Sequence, residues 1–153
     1  MGVEGEKRLT GRGISYCATC DGALYRGREV AVVGGGNTAA ADAEELSRLC
    51  SKVYLIHRRA TFRAQQADIE KLRAAGNVEF LTDCVIRETK RDDKLSSVLV
   101  DNVNDEPVTE MKTDALLVNV GPIHTTTRSG AVVAAQTEGP VKAATDWHRL
   151  AIV

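Results

Sequence analysis

Residues 28–63 read REVAVVGGGNTAAADAEELSRLCSKVYLIHRRATFR, and this stretch decides the fold. Residues 29–33 form a short β-branched run of the kind that makes a buried parallel strand. The run leads straight into Gly34, Gly35, Gly36, Asn37, Thr38 and Ala39, which satisfy the pattern G-x-G-x-x-A. Gly34 suits a tight turn, Gly36 lets the backbone approach a pyrophosphate, and the small Ala39 lets a helix pack close to the strand. Ala39, Ala43, Leu46 and Cys50 then recur at helical spacing, which predicts a helix from 38 to about 49. Glu44 and Arg48 should pair on its wet face, and its N-terminal N–H groups should face an anion.

A second strand, 53–56, runs into His57, Arg58 and Arg59, with Arg63 close behind. A site selective for NAD would place an acid here, about twenty residues past the glycines, to hold the ribose 2′-hydroxyl. A 2′-phosphate is an anion instead, and guanidinium forks bind phosphate bidentately. The pattern therefore favours NADPH over NADH. Taken alone, the three arginines would read as a solvated charged loop; their place after strand, glycine turn, helix and strand is what gives them meaning.

The chain has 153 residues, enough for one domain with its own core. A net charge of −1 gives no reason to expect nucleic acid or a membrane surface as partner. No apolar run reaches the length of a membrane span, and the sequence MGVEGEKRLT lacks the apolar centre of a signal peptide, so the cytoplasm is the expected location. Of the four cysteines, Cys50 and Cys84 stand singly in apolar or strand-like surroundings and read as small core residues. There is no second C-x-x-C, and His57, His124 and His148 are poorly spaced as ligands, so no metal site is expected.

Upstream, residues 14–22 read ISYCATCDG. Cys17 and Cys20 are spaced to close a small disulfide ring, and at a helix start the first thiol's pKa would fall. Beside a βαβ unit, C-x-x-C points to a redox dithiol, the alternatives being half a zinc site or an incidental pair. NADPH delivers two electrons as hydride, and a flavin usually relays them to a disulfide.

CATCDG at 17–22, VAVVGGGNTA at 30–39 and VYLIHRRATFRA at 53–64 resemble, in order and spacing, the central NADPH-binding domain of the low-molecular-weight, bacterial-type thioredoxin reductases. The resemblance covers residues 13 to 121. It implies that Cys17 and Cys20 are the redox-active pair and that Asp21 gives or takes a proton in the thiol chemistry. It further implies that Gly34 to Ala39 hold the pyrophosphate, and His57, Arg58, Arg59 and Arg63 the 2′-phosphate. Where the family carries an acidic pair after its glycine turn, this chain has Ala41 and Asp42, so only the second acid is kept, in shortened form. Thioredoxin or a similar dithiol protein is the implied partner, FAD the implied second cofactor, and a homodimer the family's usual state.

Further along, residues 61–73 carry a moderate amphipathic signal closed by Gly76 and Asn77, and 78–81 are a third parallel strand candidate. Alternating segments at about 85–90, 95–103 and 108–112 predict an antiparallel meander, separated by Asp92-Asp93 and by 104–107. Mixed charges from Arg87 to Lys94 read as a solvated face. Residues 115–120 return to a buried strand, ended by Gly121 and Pro122. The fold class expected is α/β, a Rossmann-like three-layer domain with a parallel sheet and a β-meander crossover. Residues 1–13 read as a connector or tail, 14–121 as the NADPH-binding domain with its C-x-x-C, and 122–153 as a divergent, truncated C-terminal segment.

The family's flavin lobe is split into halves on either side of the NADPH domain. Neither half is expected here: no second G-x-G-x-x-G precedes residue 14, and the Gly-Asp dipeptide that contacts flavin is missing downstream. The sequence therefore predicts an NADPH- and dithiol-bearing part of a thioredoxin-disulfide reductase, inactive alone. The alternative is a stand-alone NADPH-binding or redox-sensing module that partners a separate flavoprotein. A short-chain dehydrogenase fits worse, because no tyrosine is followed by lysine at the Tyr-x-x-x-Lys spacing; Tyr54 has Arg58 there, inside a predicted strand.

Overall fold

The computed structural model describes residues 6–91, 94–103, 109–120, 124–128 and 131–135. They fall into two compact units, residues 1–120 and 121–153. In chain order the first unit contains helix α1 (Glu6–Leu9), strand β1 (Ile14–Ser15), helix α2 (Ala18–Asp21) and a 3-10 turn (Gly22–Tyr25). Strand β2 (Glu29–Val33), helix α3 (Asn37–Ser47), strand β3 (Lys52–Ile56), helix α4 (Gln66–Ala74) and strand β4 (Val78–Leu81) follow. Three strands, β5 (Cys84–Arg91), β6 (Leu95–Asn102) and β7 (Thr109–Lys112), precede the last strand of the unit, β8 (Ala115–Val118).

Strands β1, β8, β2, β3 and β4 form one sheet in that order, every neighbouring pair parallel. Strands β5, β6 and β7 form a separate antiparallel meander. The α/β class, the parallel sheet and the meander crossover are thus as the sequence predicts. In the second unit, β9 (His124–Arg128) and β10 (Ala131–Ala135) pair antiparallel. The expected turns at Asp92-Asp93, 104–107 and Gly121-Pro122, and the segment 136–153, lie outside the described residues.

Strand alternation divides the core into two layers. Val30, Val32, Val53, Leu55, Ala115 and Leu117 face the helices, where Ala39, Ala40, Ala43 and Leu46 of α3 and Ile69 and Leu72 of α4 cover them. The opposite side chains, Ala31, Ile56, Leu116 and Val118, meet Ile86, Leu95, Val98 and Val100 of the meander. Both faces are covered, which is why these strands read as continuous apolar runs. Each Val or Leu removed from water contributes about 1.5–3 kcal/mol. The three alanines of α3 spend little of that gain, but they bring the helix axis close to β2 and so fix where its N-terminus points.

Within the segment 1–13 read as a connector or tail, Leu9 is buried and joins Ile14 in the layer under the meander, while Arg8, Thr10, Gly11 and Arg12 are exposed. No described helix is long and apolar enough to cross a membrane.

Candidate functional site

The glycine turn joins β2 to α3, and each glycine in it has its own neighbour. Gly34 has φ +156, and a Cβ there would stand 2.6 Å from the Asn119 carbonyl oxygen and 2.7 Å from the Ala39 Cβ. The smallness of Ala39 is therefore tied directly to Gly34. A Cβ on Gly35 would clash with the His57 ring, whereas one on Gly36 would meet nothing within 4 Å. Gly36 is thus the residue whose backbone a ligand can reach. It is the N-cap of α3 and supplies no side-chain cap, so the first N–H groups of the helix, at Asn37, Thr38 and Ala39, point out of the turn. Asn37 and Thr38 are exposed and Ala39 is buried.

The loop after β3 is stitched to this turn. The Gly35 carbonyl accepts from the backbone N–H groups of Arg63 (2.7 Å) and Ala64 (3.0 Å), and Asn37 Oδ1 accepts from the Gln65 N–H (3.0 Å). These bonds hold 61–65 out of the helix that the amphipathic signal would begin at 61, so α4 starts at Gln66. Phe62, counted from sequence as part of that helix, instead stacks on His57 with ring centroids 5.2 Å apart and meets Phe80 edge-on at 5.6 Å.

The basic cluster divides accordingly. Arg58, Arg59 and Arg63 are exposed on the loop, while His57 is buried beneath Gly35 with Nε2 lacking a hydrogen-bond partner among the described residues. Burial pushes the His57 pKa below its ordinary value; a backbone hydrogen bond at Thr61 opposes this, and the charges of Arg63, Arg59 and Arg58 add to it. A neutral imidazole under the turn and three cations around it is the resulting electrostatic pattern.

On the dithiol segment, Cys17 and Cys20 form a disulfide with Cα atoms 5.3 Å apart. Cys17 is the N-cap of α2, its Sγ accepting from the Cys20 N–H at 3.2 Å. Cys17 is half-buried and Cys20 exposed. Ser15, which sequence reasoning passed over, organises the loop: its hydroxyl donates to Asp21 Oδ2 at 2.6 Å, and its oxygen accepts from the Cys17 N–H at 3.2 Å. The only signal for it was a small polar residue two places before the first cysteine, inside a strand of two residues. Ser15 is buried because β1 pairs with β8, setting Ser15 opposite Leu117. Past Asp21, Gly22 packs on Leu46 and Leu49 near the C-terminal end of α3, the end away from the glycine turn. Cys50 is buried, donates to the Tyr25 carbonyl at 3.3 Å and has its thiol pKa raised by burial, in keeping with a core role.

The glycine turn and the Cys17–Cys20 disulfide thus adjoin strands of one small sheet. The sequence profile of the pyridine nucleotide-disulphide oxidoreductase family matches residues 1–144. The chain belongs to that family. Within it, a thioredoxin reductase from Helicobacter pylori is 42% identical over 121 residues, 78% of this chain and 39% of the relative. One from Bacillus subtilis is 45% identical over 125 residues, 79% of this chain and 39% of the relative. The crystal structure of thioredoxin reductase from Streptococcus pyogenes MGAS5005 superposes with a TM-score of 0.77 at 39% identity, covering 79% of this chain and 40% of that one. The chain therefore spans about two fifths of the length of the curated relatives it matches.

Proposed function

We propose that this chain is the NADPH-binding, dithiol-bearing part of a thioredoxin-disulfide reductase. The observation that carries the reading is the glycine turn: a backbone closed to side chains at Gly34 and Gly35, open at Gly36, and followed by an uncapped eleven-residue helix. Those features fit a pyrophosphate. In this reading Gly34, Gly35, Gly36, Asn37, Thr38 and Ala39 form the cradle, and Arg58, Arg59 and Arg63 take the 2′-phosphate from the exposed loop. His57 supports both from beneath.

The dithiol chemistry belongs to Cys17 and Cys20. In the reduced chain one thiolate attacks a sulfur of the partner's disulfide, forming a mixed disulfide and releasing one partner thiolate. The second cysteine attacks the mixed bond, the partner leaves with both its sulfurs reduced, and Cys17–Cys20 is the disulfide again. Two electrons have passed to the partner, for which thioredoxin is the assignment. In this reading Asp21, whose Oδ2 accepts from the Ser15 hydroxyl, holds or supplies the proton that the thiols exchange. In the parent family FAD, when bound, relays the two electrons of NADPH to the disulfide; its site is assigned to the parts of the relatives this chain does not match. These 153 residues alone should bind NADPH without turning over a disulfide substrate.

Binding of NADPH and NADH, followed by the coenzyme's fluorescence, tests the coenzyme assignment. Replacing Arg58 and Arg59 by glutamine should weaken NADPH by about 10- to 100-fold and NADH by less than about threefold. Equal losses would show that the cluster does not read the phosphate, and flavin-dependent turnover by the chain alone would overturn the claim of inactivity.

A further inference from the structure

Strand order locates a second half of the nucleotide site. From β2 the chain moves through α3 to β3 and then β4 on one side, while β8 lies on the other side of β2. The crevice beyond the C-terminal ends of β2 and β8 is therefore the switch point of the sheet, where open α/β sheets take their ligands. With the 2′-phosphate assigned to the loop after β3, a dinucleotide crossing the glycine turn must put its other end over β8.

The first residue past β8 is Asn119, and it holds three elements at once. Its N–H donates to the Val33 carbonyl at 2.8 Å, its own carbonyl closes on Gly34, and its side-chain Nδ2 donates to Asp42 Oδ2 at 2.7 Å. Asp42 comes from the second turn of α3, and both side chains are half-buried. Asp42 Oδ2 accepts one Nδ2 hydrogen and so fixes which way the Asn119 amide faces. An amide so fixed has a second N–H hydrogen and a carbonyl oxygen, the complement of another carboxamide.

We infer that Asn119 is the residue that seats the carboxamide of the nicotinamide ring, and that Asp42 positions it. This rests on the NADPH reading above and adds the ring end of the coenzyme, which the arginines do not address.

The test compares NADPH with 2′,5′-ADP, which carries the adenosine and the 2′-phosphate but no nicotinamide, on the full chain by calorimetry. Asn119→Ala and Asp42→Ala should each weaken NADPH by about tenfold and leave 2′,5′-ADP within about twofold. The change in nicotinamide fluorescence on binding should shrink in both variants. Asp42→Ala, on a helix surface, keeps the test open should Asn119→Ala fail to fold. Equal losses for the two ligands would reduce the pair to a brace for the turn, and unchanged NADPH affinity would remove it from the site; either result overturns the inference while leaving the coenzyme reading intact. Wild-type protein that binds neither ligand would instead sink the coenzyme reading, and the inference with it.

Discussion

The glycine turn and the dithiol loop are held in place by different means. At the turn, position is set by exclusion: Asn119, Ala39 and His57 occupy the space where side chains on Gly34 and Gly35 would have to go. Backbone bonds from Arg63 and Ala64 to Gly35 then lock the neighbouring loop onto it. At the dithiol, position is set by attraction: one buried hydroxyl, Ser15, ties Asp21 and the Cys17 backbone together. Close packing tolerates almost no substitution, whereas a hydrogen-bonded loop can be loosened by degrees. The first suits the proposed pyrophosphate cradle; the second suits the proposed opening and closing of the disulfide.

The sharpest way to break the contrast is at Gly34. Gly34→Ala should cost about 3 kcal/mol in urea unfolding, because both its backbone angle and its space are wrong for a side chain. Gly36→Ala, with open space around it, should cost only about 0.5–1 kcal/mol yet weaken NADPH more than tenfold. If the two variants lose stability alike, exclusion is not what shapes the turn.

Ser15→Ala tests the other side of the comparison. Loss of a charge-assisted bond should cost about 1.5 kcal/mol and leave NADPH affinity unchanged, while the rate of thiol–disulfide exchange with a small disulfide shifts. Unchanged exchange kinetics would separate Ser15 from the dithiol's chemistry.

The smallest effect at neutral pH belongs to His57. Its pKa is lowered in the folded state, chiefly by burial, so the unfolded chain binds the proton more readily. Stability from its neutral form is complete above the ordinary value of 6.5 and is lost as pH falls from there through the folded pKa. Unfolding free energy measured from pH 7.5 down to 5.5 should fall in the wild type, with part of that slope missing in His57→Gln. Identical slopes would show that the buried ring does not titrate with folding.

The parallel sheet was legible because its strands are buried on both faces and its punctuation is glycine; β2 and β4 have the predicted bounds. The start of α4 was not, because Phe62 has helical spacing with Ile69 and yet earns more by stacking on His57, a partner visible only once β3 is laid beside β4. The role of Gly35 was hidden for a related reason. The motif treats that position as free, and only the imidazole beneath it forbids a side chain. Asp42 was noticed as the one acid kept of the family's pair, but its partner Asn119 lies past a strand that pairs with β2 across most of the chain, beyond the reach of any local pattern.

Strand β8 comes after the meander in the chain and yet lies between β1 and β2 in the sheet. On a ribosome, the segment bearing Cys17 and Cys20 must wait until residues 115–118 have emerged before β1 has a strand to pair with. Long-range closure of this sort is slow compared with forming a loop between cysteines three residues apart. The two cysteines can therefore meet before β1 has its sheet partner, so closing the disulfide does not depend on completing the sheet.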